Sequence, residues 1–193
     1  MDSYLVLPFV EIEVRLGTVG KNFDNSIDSK YFEQIKNNLE SGQWISISQK
    51  ETNEYIDSNK KLIDNEVLIM KENVITNTIQ LKNSPFDIRF SVNQEFNLNS
   101  YIKSFNKNDS FLRIKKRKTF QSDNFKYDLT EVKETINGVS KHKYEIEIEL
   151  LVTKETLKWD SKYINDYLEC KIYDLINIVE PMEREKFKVK LLN

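Results

Sequence analysis

Polar and aliphatic residues alternate with period two over residues 144–150, YEIEIEL, where Glu145, Glu147 and Glu149 interleave with Ile146, Ile148 and Leu150. Successive side chains of a strand point to opposite faces of the pleat. The segment therefore predicts a β-strand with one carboxylate face and one aliphatic face. The arrangement recurs at 11–17, EIEVRLG, where Glu11, Glu13 and Arg15 oppose Ile12, Val14 and Leu16. In RIKKRKT, 113–119, the face made by Arg113, Lys115, Arg117 and Thr119 is almost wholly basic, and in DIRFSVNQE, 87–95, Asp87, Arg89, Ser91, Asn93 and Glu95 make a mixed polar face.

The rest of the chain follows in order. A first strand is expected over 5–16, closed by Gly17, and then a helix capped by Ser29, with Tyr31, Phe32, Ile35 and Leu39 at helical spacing and Gly42 just past its end. Residues 44–48, 60–64 and 67–71 read as short strands, the last two joined by a tight turn at Asp64-Asn65. Residues 74–82 fit a strand or a connection equally well. A strand over 87–96 and a polar loop over 97–109 come next. An antiparallel series over 111–120, 125–132 and 141–152 follows, with a turn at Asn137-Gly138 before its last member. Residues 161–179 form an amphipathic helix stopped by Pro181, with Tyr163, Tyr167, Leu168, Ile172 and Leu175 on or near one face.

Carboxylates two apart on a strand stand roughly 6.8 Å from each other, and at an effective dielectric of about 20 each pair repels by roughly 2.4 kcal/mol. Solvent compensates if the face lies outside; a cation and basic side chains do so if it is enclosed. On one strand the solvated face is the simpler reading. Two acidic strands and one basic strand change the balance, because faces turned to solvent would place the two signs without regard to each other. Their segregation predicts facing walls of one enclosure, with the apolar faces turned outward and covered by helices, the reverse of a usual small barrel. The fold class is α+β, mainly β.

A chain of 193 residues fits one domain over 1–193, long enough to bury a sizeable core. Its net charge of −2 excludes the global basic field of a duplex-binding protein, so any nucleic acid is held locally. One cysteine, Cys170, excludes an internal disulfide and a cysteine-based zinc site. No stretch approaches the roughly 20 apolar residues of a membrane span, and the N-terminus lacks the basic start of a signal peptide. An intracellular setting is expected, in cytoplasm, nucleus or viral factory, with no membrane partner.

Carboxylate ligands without His or Cys suit Mg²⁺ or Mn²⁺. A neighbouring wall of Arg and Lys suits a polyanion, since guanidinium forks match phosphate oxygens in pairs. Together they fit a metal-bound polyphosphate and attack of water on its terminal phosphorus. Lys116 and Lys118 fall on the opposite, surface face. His142 reads as an exposed residue beside a turn. Cys170, Trp44, Trp159, Tyr163 and Tyr167 read as packing.

EIEVRLG, RIKKRKTF, KYDLTEV and YEIEIEL, in that order over 11–149, resemble the metal-dependent RNA 5′-triphosphatases of fungal and large-DNA-virus mRNA capping systems, within the triphosphate tunnel metalloenzymes. The resemblance implies an eight-stranded antiparallel tunnel with a charged interior. It also implies removal of the γ-phosphate from nascent RNA, which leaves a diphosphate end for a guanylyltransferase partner. Free NTP is a further substrate of many members. Carried onto this chain, it implies that Glu11, Glu13 and Glu149 ligate Mg²⁺ or Mn²⁺. Glu147 would orient a water, and Glu145 would support the basic wall. Arg89, Arg113, Lys115 and Arg117 would hold the triphosphate, joined by Arg15 and Lys71, and Asp128 would orient one of the basic residues. An acidic general base between Asn97 and Asp109 is left unassigned. Arg15 stands where tunnel enzymes acting on thiamine triphosphate or inorganic triphosphate usually have Lys, which favours the capping branch. The alternatives are a tunnel hydrolase of NTP, inorganic triphosphate or polyphosphate, and a non-catalytic polyanion-binding barrel. The paired glutamates count against the last.

Overall fold

The computed structural model describes residues 5–136 and 138–181. Its strands are β1 (Val10–Val19), β2 (Phe23–Asp24), β3 (Ser46–Asp57), β4 (Lys60–Ile63), β5 (Val67–Ile79), β6 (Asp87–Asn97), β7 (Phe111–Gln121), β8 (Phe125–Ile136) and β9 (Val139–Leu150). Two helices, α1 (Ser29–Glu40) and α2 (Ser161–Val179), accompany them. The strands run in the order β2-β1-β6-β5-β4-β3-β7-β8-β9, and β1 also pairs with β9. Eight strands thus close into an antiparallel barrel, and β2 adds a short outer pairing to β1.

The barrel is inverted as the alternation requires. Ile12, Val14, Leu16, Ile146, Ile148 and Leu150 point outward, and all belong to one buried cluster with Phe32, Ile35 and Leu39 of α1 and Leu168, Ile172 and Ile176 of α2. Burying such side chains contributes about 1.5–3 kcal/mol each, and the two helices exclude water from that wall. Asp28, one residue before the expected cap, starts α1 by accepting from Lys30 N at 2.7 Å. At its end, the Trp44 indole donates to Leu39 O at 2.7 Å. Asp160 caps α2 by accepting from Tyr163 N at 2.7 Å.

Several boundaries differ from the pattern. Phe9 adopts φ 57° just before β1, so the first strand begins at Val10 and not at Leu5. It also runs through Gly17 to Val19, because β2 packs on it there. A Cβ at Gly17 would stand 2.2 Å from Asp24 O and 2.6 Å from the Phe23 ring. Gly17→Ala is therefore expected to cost about 1–3 kcal/mol, read as a lower thermal midpoint with an unchanged circular dichroism spectrum.

The segment expected at 44–48 begins at Ser46 as a strand that reaches Asp57, and of the undecided stretch 74–82, residues up to Ile79 form the second half of β5 while the rest is connection. A register shift between Asn73 and Ile75 breaks its alternation there. The 97–109 stretch contains two 3-10 turns, at Asn99–Ser104 and Lys107–Asp109. The β4–β5 connection has three residues, Asp64, Asn65 and Glu66, and the first two have φ of 48° and 66°, in the left-handed region that tight hairpin turns use. At the β8–β9 turn Gly138 has φ +78°, and Asn137 lies outside the described residues. Among the described residues no helix is long and apolar enough to cross a membrane.

Candidate active site

The inward side chains surround a chamber of about 310 Å³. Its basic lining comes from Arg15, Lys50, Lys61, Lys71, Lys115, Arg117 and Lys126, and its acidic lining from Glu11, Glu54, Glu95, Glu147 and Glu149. This balance favours an anion. Register explains the grouping. Across the closure of the barrel Glu13 lies opposite Glu149 and Arg15 opposite Glu147, while across β8 Lys126 faces Glu149 and Asp128 faces Glu147. Carboxylates directly opposite on neighbouring strands repel, so the Glu13–Glu149 pair needs a cation between or beside it.

Lysines meet that need here. Lys71 Nζ bonds Glu11 Oε2, lies 3.2 Å from Glu13 Oε1 and 3.9 Å from Glu95. Lys126 Nζ stands 2.9 Å from Glu149. Glu13 is buried behind the lining and accepts from Asn93 Nδ2 at 3.1 Å and Arg15 Nη2 at 3.1 Å. Among the described residues no group of three or more His, Cys, Asp or Glu side chains is drawn together tightly enough to hold a metal. The donor set itself fits a hard divalent ion, since all candidate ligands are carboxylate oxygens whose repulsion the ion would relieve.

Both oxygens of Glu147 are engaged, by Arg15 Nη2 at 2.9 Å and Arg117 Nη2 at 3.3 Å. Burial opposes its charge, but Arg15, Arg117 and Lys115 outweigh burial and hold the carboxyl well below the usual range. Glu149 goes the other way. Burial, against the opposing Lys126, pushes it up to about 7. Lys115 is buried against Glu54 at 3.0 Å, and that burial pulls its ammonium below the ordinary lysine value. Arg117 is set by Asp128 at 3.1 Å and Thr130 at 3.3 Å, and Thr119 bonds the same Asp128.

Glu11, Arg15, Lys71, Lys115, Arg117, Glu147 and Glu149 thus meet around one chamber, with Glu13 and Asp128 behind them. Arg113, Glu145 and Arg89 are absent from the lining. Arg113 is held between Glu134 and Glu145, and Asn25 donates to Glu145 at 2.8 Å, so these groups satisfy one another away from the chamber, toward the start of β9. Arg89 stacks 4.4 Å from the Phe23 ring centre and donates to Thr78. Lys50, Glu54, Lys61, Glu95 and Lys126 join the lining without having been singled out as site residues in the sequence. Lys126 has the inward parity of Asp128, which was the available signal. Among the described residues of 97–108 none lines the chamber.

The described pKa shifts make metal-free stability depend on pH in two directions. Glu149 is raised, so the folded state binds its proton more readily than the unfolded state, and stability rises as pH falls from about 7 toward the ordinary 4.5. Glu147 and Glu54 are lowered, so their contribution is present above 4.5 and is lost as pH falls further. Urea unfolding in chelator is expected to show maximal stability near pH 5, with Glu149→Gln removing the rise on its alkaline side.

The family model for the mRNA capping enzyme, beta chain, matches residues 25–185. The chain belongs to this family. It is accordingly an mRNA 5′-triphosphatase, a hydrolase of phosphoric anhydrides that acts in cap formation, and enzymes of this tunnel type are metal-dependent. The triphosphatase shares its fold with the S. pombe Pct1 RNA triphosphatase, at TM-score 0.66 and 16% identity over 96% of this chain and 90% of that one. The same fission yeast protein in complex with the Spt5 CTD gives TM-score 0.69 and 16% identity over 96% and 91%. The Mimivirus capping enzyme triphosphatase gives 0.59 and 15% over 92% of each chain. No curated protein matches the triphosphatase in sequence.

Proposed function

We propose that the chamber takes the 5′-triphosphate of nascent RNA and releases its γ-phosphate, with Glu11, Glu13 and Glu149 as the ligands of Mg²⁺ or Mn²⁺. The observation that carries this reading is the Glu13–Glu149 pairing across the barrel closure, in the same enclosure as Lys115 and Arg117. When bound, the divalent ion would polarise phosphate oxygens and neutralise their charge.

The chain's own groups do the rest. Arg117, locked by Asp128 and Glu147, and Lys115 meet phosphate oxygens from one wall; Arg15, Lys50 and Lys126 approach from the others. Because Arg15, Lys115, Arg117 and Lys126 are already fixed by partners, they stabilise shifting charge without reorganising. Arg113, held outside the lining, pairs with Glu145 and Glu134. Glu147 is a strongly ionised carboxylate and serves to hold Arg15 and Arg117, not to take a proton. Glu95 suits the water-orienting role, since its nearest cations stand at 3.8 and 3.9 Å and leave an oxygen free to accept from water. Phosphoryl transfer through a loose transition state asks little of a base.

The diphosphate-ended product calls for a guanylyltransferase as partner, and a role on nascent transcripts fits an intracellular setting. The test is release of γ-labelled phosphate from triphosphate-ended RNA, with ATP and inorganic triphosphate as competitors and Mg²⁺ or Mn²⁺ supplied. Metal-dependent release from RNA supports the reading. Release from the small triphosphates alone would replace it with a different tunnel hydrolase.

A further inference from the structure

Lys71 occupies an unusual place. It lies on β5, which is separated from β1 by β6, yet its ammonium crosses β6 to reach Glu11 and Glu13 on β1. Lys71 pairs in regular register with Glu95 of β6, and its parity turns it into the bore. Two residues beyond Lys71 the register with β6 shifts, and Asn73 from the irregular turn of chain donates to Asn93 at 2.9 Å. Asn93 in turn donates to Glu13 at 3.1 Å. Bulges of this kind re-aim side chains beside functional sites. The ammonium therefore stands on the carboxylate oxygens that a divalent ion would use, and the two cations compete for the same lone pairs.

We propose that Lys71 is the resident counter-ion of Glu11 and Glu13, that a divalent ion enters by displacing its ammonium, and that the freed ammonium then turns onto the triphosphate. This rests on Glu11 and Glu13 being the metal ligands. A displaced Lys71 needs a new anionic partner. With Glu95 assigned to water, the partner left for it is a phosphate oxygen held among the basic groups of the lining. Metal alone thus gives up an ion pair on entry, while metal with triphosphate replaces it. Binding of the two is then mutually strengthened, as linkage requires. Lysine suits such an exchange, having a compact charge on a flexible four-carbon stem, whereas a guanidinium would stay forked on its carboxylates.

The test measures Mn²⁺ binding without substrate, by electron paramagnetic resonance of free Mn²⁺, in the wild-type chain, Lys71→Met and Lys71→Arg. Removing the competitor in Lys71→Met is expected to tighten Mn²⁺ about tenfold, and Lys71→Arg is expected to bind no tighter than wild type. Thermal midpoints in graded Mn²⁺ give the same affinity independently, since a ligand of the folded state raises the midpoint with concentration, and they also serve if metal-free Lys71→Met folds poorly. With Mn²⁺ saturating, Lys71→Met is expected to bind a β,γ-methylene analogue of ATP about tenfold more weakly than wild type. Equal Mn²⁺ affinity in wild type and Lys71→Met would overturn the displacement, and equal affinity for the analogue would overturn the transfer of Lys71 to phosphate. Should neither protein bind Mn²⁺, the assignment of Glu11 and Glu13 as ligands is what fails, and the inference falls with it.

Discussion

Glu13→Ala is expected to lower metal-dependent release of γ-phosphate from triphosphate-ended RNA roughly a thousandfold, equivalent to about 4 kcal/mol of lost transition-state stabilisation. Glu13 is 3% exposed and sits at the junction of three strands, opposite Glu149 on β9 and Ser91 on β6. Its oxygens serve Lys71, Asn93 and Arg15 at once. Truncation therefore removes a proposed metal ligand and takes one carboxylate partner from each of Lys71 and Arg15, which keep Glu11 and Glu147. Glu13→Gln separates the effects, because an amide carbonyl still accepts from Asn93 while the negative charge is gone. Single-turnover assays with Mn²⁺, run beside thermal melts, decide the matter. A folded Glu13→Gln protein that retains near wild-type turnover would remove Glu13 from the metal shell.

The second large effect is expected at Arg117. Replacing it with lysine keeps the charge but loses the fork that is held by Asp128, Thr130 and Glu147 together. A loss of about a hundredfold in kcat, or about 2.7 kcal/mol, is expected with a smaller change in KM, because a preset donor acts mainly on charge that develops during transfer. Asp128→Asn provides the control. It leaves Arg117 in place but loosens one side of its clamp, so it should reproduce part of the kcat loss. If Arg117→Lys instead raised KM with kcat intact, Arg117 would be a binding residue and nothing more.

The inverted barrel was legible because β1 and β9 alternate strictly and β6 and β7 do so in part, and alternation survives best where helices cover one face. β3 was harder to read for the same physical reason. Its outer face is exposed at Gln49 and Glu51, so both faces are polar and no periodicity marks Lys50 or Glu54 as inward. β5 was obscured by the irregularity at Asn73 and Ile75, which shifts inward and outward positions midway. Side-chain pairing across the bore is a different matter. Arg113 shares the parity of Lys115 and Arg117, but only the positions of Glu134, Glu145 and Asn25 determine that it is held away from the chamber. Parity gives the face of a strand and is silent on depth along it.

The β1–β9 pairing also governs how the molecule is born. The first and the last strand must meet before Glu13 faces Glu149, so the chamber is completed by a pairing between residues far apart in the sequence, a slow kind of step. During translation β1 waits with one edge unpaired while eight later strands emerge, and an unpaired edge is a template for strands of other molecules. The ribosome thus releases β9 into the gap that both finishes the catalytic enclosure and removes the last adhesive edge.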